Sequence, residues 1–162
     1  MIAVQSLKSF NLFSGLKVPE LEKIAELCTR YTFEKDAVIF DPYSATDDLF
    51  LVEGGNEAVQ IEVPITESGR KFIIHTLSKG ETFGWASLVP SHSRTALARC
   101  LENVDIIRIN GQELMSLLDK NDHIGYVVMK NLSGIISTRL AYTTIMLRRE
   151  INKRSLASVS VA

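Results

Sequence analysis

The chain has 162 residues, 46% of them hydrophobic and 23% charged, which suits one domain with a sizeable core and an appended helix. A formal net charge of −1 lacks the basic footprint expected of a nucleic-acid binder. The N-terminus has no cationic lead or sustained apolar run, and the apolar segments near the C-terminus are interrupted by Lys130, Asn131 and Arg139, so neither a secretory signal nor a membrane span is expected. The two cysteines, Cys28 and Cys100, have no CxxC partner and no metal-ligand spacing. Both are expected as buried free thiols, consistent with a reducing, cytoplasmic compartment.

Residues 9–30 read as helical. Leu12, Leu16, Leu21, Ile24, Ala25 and Leu27 recur mostly at three- and four-residue steps, and Pro19-Glu20 suits a first helical turn. The expectation is a short helix or turn followed by an amphipathic helix that ends near Cys28-Thr29. From Tyr31 the period changes. Residues 31–33, 37–40, 49–52 and 58–63 are short β-rich runs separated by turn signals at 34–36, 41–42, 47–48 and 54–56. A hairpin turn at 67–70 leads into 71–77, and further runs lie at 95–100 and 104–109. About eight short strands at near-regular spacing predict a mainly β fold, a jelly roll or barrel with flanking helices.

Asn110 then caps a helix carrying Leu114, Met115, Leu117 and Leu118, with Glu113 three residues on giving a pattern like a capping box. Asn121-Asp122 opens the last and longest helix, running to about Asn152. Leu132, Ile136, Leu140, Thr143, Leu147 and Ile151 form one stripe, and Val127, Val128, Ile135 and Tyr142 add apolar area on other faces. A helix apolar on more than one side must bury more than one side. The barrel takes one face, and a second copy of the helix is the simplest partner for the other, giving a homodimer; packing on its own domain alone is the alternative. Three parts follow: a jelly-roll domain with its N-terminal helical segment over 1–120, the long helix over 121–154, and a small, polar, frayed tail over 155–162.

Residues 80–98 carry the candidate site. Gly80 and Gly84 can adopt positive φ and let a bound group approach the main chain, with Phe83 between them. If Ala86-Ser87-Leu88 forms a helical turn, its free N–H groups and Arg94 converge, an arrangement that grips a phosphate. No nucleophile stands nearby, so this is a binding site rather than a catalytic one. The plainer alternative is a set of turn glycines with a solvated arginine. His92 is expected to be a solvated loop residue, and His75 and His123 have no partners at metal-ligand spacing. No paired carboxylates, nucleophile–base set or metal cluster points to an enzyme.

Taken together, Leu12-Phe13-Ser14-Gly15-Leu16, Asp48-Leu49-Phe50-Leu51-Val52 before Gly54-Gly55, Gly80-Glu81-Thr82-Phe83-Gly84 and Ser93-Arg94-Thr95-Ala96 resemble the cyclic nucleotide-binding domain. More narrowly, they resemble the sensor half of the catabolite activator and fumarate-nitrate regulator superfamily, over residues 10–153. The resemblance implies a double-stranded β-helix with N-terminal helices and a long C-terminal dimerisation helix. It also implies a cyclic nucleotide, cAMP or cGMP, as ligand, with no other cofactor and no metal. Arg94 would pair with the cyclic phosphate, Thr95 would donate beside it, and Gly84 with Ala86 would admit the sugar-phosphate to the backbone. Thr143 and Thr144 fall where such sensors set hydroxyls against the purine; Thr143 as a tolerated seam residue is the alternative. Arg139, one turn earlier, is expected to be solvated; pairing across the dimer is the alternative.

One departure matters. The family's glutamate, which accepts from the ribose hydroxyl, should follow Gly84, and this chain has Trp85. An indole offers one donor and no acceptor. Losing a hydrogen bond to a charged group removes ~1.5–3 kcal/mol, about ten- to over a hundredfold in affinity. Glu81 points elsewhere on this alignment and is not promoted to replacement. The relatives that act in transcription continue into a helix-turn-helix domain, for which the sequence in hand leaves no room. The expectation is therefore a stand-alone, dimeric sensor of a small anion that signals to another protein without contacting DNA. The alternative is a degenerate scaffold of the same fold that binds only proteins.

Overall fold

In a computed structural model that describes residues 2–42, 47–64, 71–89 and 94–159, two four-stranded antiparallel sheets face each other, with helices against one of them. The hairpin turn expected at 67–70 and His92 lie outside the described residues. The order is α1 (Val4–Leu7), a 3-10 turn (Asn11–Phe13), α2 (Val18–Ala25), then β1 (Cys28–Phe33), β2 (Val38–Phe40), β3 (Asp48–Val52), β4 (Val59–Pro64) and β5 (Lys71–Leu77). There follow β6 (Thr82–Phe83), a second 3-10 turn (Trp85–Leu88), β7 (Leu97–Cys100), β8 (Val104–Asn110), α3 (Gly111–Asp119) and α4 (Asp122–Val159). One sheet runs β1-β8-β3-β6 and the other β2-β7-β4-β5. This is the predicted jelly roll with flanking helices and a long C-terminal helix.

Two cores share one wall. Leu49, Leu51, Ile107 and Ile109 face the helices and pack with Leu12, Phe13, Leu21, Ile24, Leu114 and Val128. Phe50, Val52 and Ile106, from the same two strands, face the barrel interior with Phe40, Val59, Leu77, Phe83 and Ala98. All five residues of β3 are consequently buried. A strand covered on both faces reads as a continuous apolar run rather than an alternation, as residues 49–52 do.

The structure differs from expectation at three element boundaries. The helix expected through Cys28-Thr29 stops at Ala25, and Cys28 to Arg30 pair with Ile109, Arg108 and Ile107 of β8. Ladder pairing with a buried central strand overrides the helical spacing that Leu27 continues. A two-residue strand, β6, lies inside the stretch taken as loop, pairing Phe83 with Phe50 and Thr82 with Leu51. The last helix continues through Val159, past its expected end near Asn152. Cys100 is buried, but Cys28 is only half-buried, its Sγ donating to the Ile24 carbonyl at 3.2 Å. Burial pushes the Cys28 thiol up to about 12 and Cys100 to about 11, which leaves both as unreactive thiols near neutral pH.

The α3 start follows its sequence signal: the Asn110 side-chain oxygen accepts from the Glu113 N–H at 3.1 Å. Along α4 the apolar stripe divides. Leu132 is buried and Ile136 packs at the edge of the helical core, whereas Leu140, Leu147 and Ile151 are more than half exposed in the single chain. Replacing the cap, Asn110→Ala, is expected to lower stability by about 1 kcal/mol. Urea unfolding should show this as a lower midpoint at an unchanged slope.

Candidate functional site

The path of the chain around Gly84 sets the site. Gly84 sits at φ +77°, and a Cβ there would come within 2.9 Å of both the Asp48 carbonyl and the Phe50 ring. Only glycine combines that backbone with that clearance. The left-handed residue turns the chain from β6 into the 3-10 turn, where Ser87 locks the corner by donating its hydroxyl to the Gly84 carbonyl at 3.1 Å. The expected helical turn at Ala86-Ser87-Leu88 is present, in 3-10 form.

Beneath the corner lie three rings. Phe50 and Phe83 stack at 5.2 Å between centroids, and Phe40 lies 5.8 and 5.9 Å from them. Arg94 lies over this aromatic floor, its guanidinium carbon 4.1 Å from the Phe40 centroid and 5.6 Å from that of Phe50. Such contacts favour a cation. One guanidinium nitrogen, Nη2, donates to the Asp48 carbonyl at 2.8 Å, while Nη1 is buried with no hydrogen-bond partner among the described residues. Burial pulls the Arg94 pKa below its usual value, against the opposing pull of Asp48 and Asp47. The group is a half-buried cation with an unsatisfied donor, the state that an incoming anion would relieve.

A cavity of about 230 Å³ opens beside it. Gly84, Trp85, Ala86, Arg94, Thr95 and Thr143 all line this cavity, so six of the seven residues singled out in the sequence meet in one place. Thr144 does not. It is exposed on another face of α4, its hydroxyl donating to the Leu140 carbonyl at 2.8 Å. Thr143 donates likewise to the Arg139 carbonyl at 2.9 Å, which leaves its oxygen free to accept.

Arg139 corrects the expectation of a solvated residue. Its side chain is 14% exposed and lines the same cavity. Its guanidinium carbon sits 5.6 Å from the Trp85 ring centroid, and burial lowers its pKa, with Glu81 and Tyr142 opposing. Its contact with Glu81 Oε1 is 3.6 Å, beyond hydrogen-bond range. Glu81 is already engaged, accepting from the Ser78 N–H at 2.8 Å and lying 2.9 Å from His75 Nε2. Burial raises the Glu81 pKa, but the His75 and Ser78 hydrogen bonds outweigh it and hold the carboxyl below its usual range. Glu81 lines a neighbouring groove of about 590 Å³ with His75, Tyr142 and Arg139, and no Asp or Glu lines the Arg94 cavity among the described residues. Arg139 was not identified in the sequence because its neighbours Trp85 and Glu81 lie more than fifty positions away, although it falls one turn before Thr143.

Phe40, Ile61, Ile74 and Phe83 complete an apolar lining. Among the described residues no group of three or more His, Cys, Asp or Glu could hold a metal, and no helix is long and apolar enough to cross a membrane.

Comparison with known proteins agrees with this geometry. The Cyclic nucleotide-binding domain family profile matches residues 30–121. A Geobacter metallireducens GS-15 protein described as cyclic nucleotide-binding superposes with a TM-score of 0.73 at 28% identity, covering 86% of this chain and 99% of that one. A cyclic nucleotide-binding domain from Methylobacillus flagellatus KT gives 0.77 at 18% identity, covering 91% of this chain and 81% of that one. The Thermus thermophilus catabolite activator protein gives 0.70 at 23% identity, covering 85% of this chain and 62% of that one. No curated protein matches the chain in sequence. With a profile match over more than half its length and a jelly roll built around an inward-facing arginine, the chain belongs to the cyclic nucleotide-binding domain family and has the fold of the sensor domains of catabolite activator-type regulators.

Proposed function

We propose that the chain is a sensor that holds a small anion, a cyclic nucleotide or another small acid, on Arg94 and signals its presence through α4. The observation that carries this reading is the Arg94 guanidinium, turned inward over Phe40 with a buried donor that has no partner among the described residues, beside the cavity. The route to α4 is short, because Arg139 and Thr143 of that helix line the same cavity. A ligand touching both the barrel and the helix has a different affinity for each helix placement, which is the requirement for a population shift.

Dimerisation along α4 is part of the proposal. Leu140, Ile145, Leu147 and Ile151 are 51–67% exposed in one chain. Each of these half-exposed side chains, once covered by a second helix, contributes ~1–1.5 kcal/mol. The two free cysteines suit a reducing compartment, so a cytoplasmic site of action is proposed, with a partner protein rather than DNA as the receiver. The reading involves no catalysis and no metal.

Trp85 supports a second reading, a scaffold that binds no small molecule, because its indole takes up room in the cavity and supplies no acceptor for a ribose hydroxyl. The two readings predict different outcomes. Under the sensor reading, titration with cyclic AMP, cyclic GMP and small acids raises the melting temperature of the wild type, and Arg94→Ala abolishes the rise. Under the scaffold reading none of them shifts it. Trp85→Glu is expected to strengthen cyclic-nucleotide binding about ten- to over a hundredfold by calorimetry, since it restores a charged acceptor. Leu147→Glu should convert a dimer to a monomer in sedimentation velocity, with helical content unchanged.

A further inference from the structure

Resting on the reading of Arg94 as the anion's anchor, we infer that the cavity takes a compact dianion held between Arg94 and Arg139, in preference to a singly charged cyclic phosphodiester. Three observations lead there.

First, two guanidinium groups line one cavity of about 230 Å³, and no Asp or Glu lines it among the described residues. The nearby acids Asp48 and Glu81 have closer partners, although Glu81 also lies 3.6 Å from Arg139. The Asp48 carboxylate pairs with Arg108 at 2.8 Å, and Glu81 serves His75 and Ser78. The Asp48 and Asp47 carboxylates act on Arg94, and Glu81 acts on Arg139 from 3.6 Å, without a carboxylate hydrogen bond to either guanidinium among the described residues. One bound negative charge therefore leaves one guanidinium without a direct anionic contact in a partly buried site, where charge interactions are less screened than in water. Two negative charges balance the lining.

Second, the arginines come from different bodies. Arg94 precedes β7 of the barrel and rests on Phe40, whereas Arg139 belongs to α4 and rests on Trp85. Each has an aromatic platform that orients it, and neither has a bidentate carboxylate partner among the described residues. A ligand with two acidic oxygens, or a phosphoryl group with two charges, gives each guanidinium an acceptor.

Third, the space is small and lacks a ribose acceptor. Sites for drug-sized ligands occupy ~300–1,000 Å³, and this cavity falls below that range. Trp85, which lines the cavity, offers a donor and a flat ring but no acceptor for a sugar hydroxyl. A phosphomonoester or a short dicarboxylate satisfies all three conditions without a sugar.

The test compares ligands matched in shape but not in charge, by calorimetry at pH 7.5 and constant ionic strength: phenyl phosphate against its methyl diester, and succinate against succinamate. Wild type should prefer the doubly charged member of at least one pair by tenfold or more. Arg139→Gln should reduce that preference to threefold or less while leaving the affinity for the singly charged member within about threefold. Arg139→Lys should restore part of the preference, and Arg94→Gln should abolish binding of both members. Circular dichroism confirms that each variant is folded. Equal affinity within both pairs, or equal loss of both members in Arg139→Gln, overturns the dianion assignment while leaving Arg94 as an anion anchor. Tighter binding of cyclic AMP than of any dianion does the same. Absence of binding by every anion, cyclic AMP included, overturns the anchor and the dianion together.

Discussion

The Arg94 charge is the constraint around which the rest of the molecule is arranged. A guanidinium half-removed from water loses hydration, and the chain offsets only part of that loss. The π faces of Phe40 and Phe50 and the Asp48 carbonyl supply attraction, and one nitrogen has no hydrogen-bond partner among the described residues. Holding the rings in place requires the β3–β6 pairing of Phe50 with Phe83. That pairing in turn requires Gly84 to pass close over Asp48 and Phe50 in a left-handed conformation. Burial of β3, the tight corner and the inward cation are thus one arrangement rather than three separate features.

The long helix has a divided role for the same reason. Its first half is part of the domain core through Ile124, Val128 and Leu132. Arg139 and Thr143 then reach the cavity, and the apolar residues beyond leave the domain surface. A rigid rod fixed at one end, lining a cavity at its middle and exposed at the other end has the layout of a lever, as the proposed sensor requires. Arg139 is well placed at its fulcrum, because it contacts Trp85 of the second 3-10 turn and the Glu81 carboxylate that pairs with His75.

Much of this was legible in the amino-acid sequence. Turn residues at regular spacing marked the strands, Asn110 marked the start of α3, and the glycines flanking Phe83 marked the candidate site. The sequence was least informative where non-local partners decide the outcome. Cys28 and Thr29 continue a helical pattern but are drawn into a strand by β8. Thr82 and Phe83 are too short a run to read as a strand until β3 lies beside them. Arg139 reads as a surface charge on an amphipathic helix, and only the approach of Trp85 and Glu81 makes it an interior one. Thr143 and Thr144 are neighbours in sequence, yet the helical turn between them sends one to the cavity and the other away from it.

The double burial of β3 has a further consequence. Because its alternate side chains belong to the helical core and the barrel core in turn, neither core can loosen without disturbing the other. Substitutions along 48–52 have no solvent-facing side on which to relax, so this short segment should tolerate the least evolutionary drift. Latitude for change lies instead in the outer strand β1, where four of six residues face water.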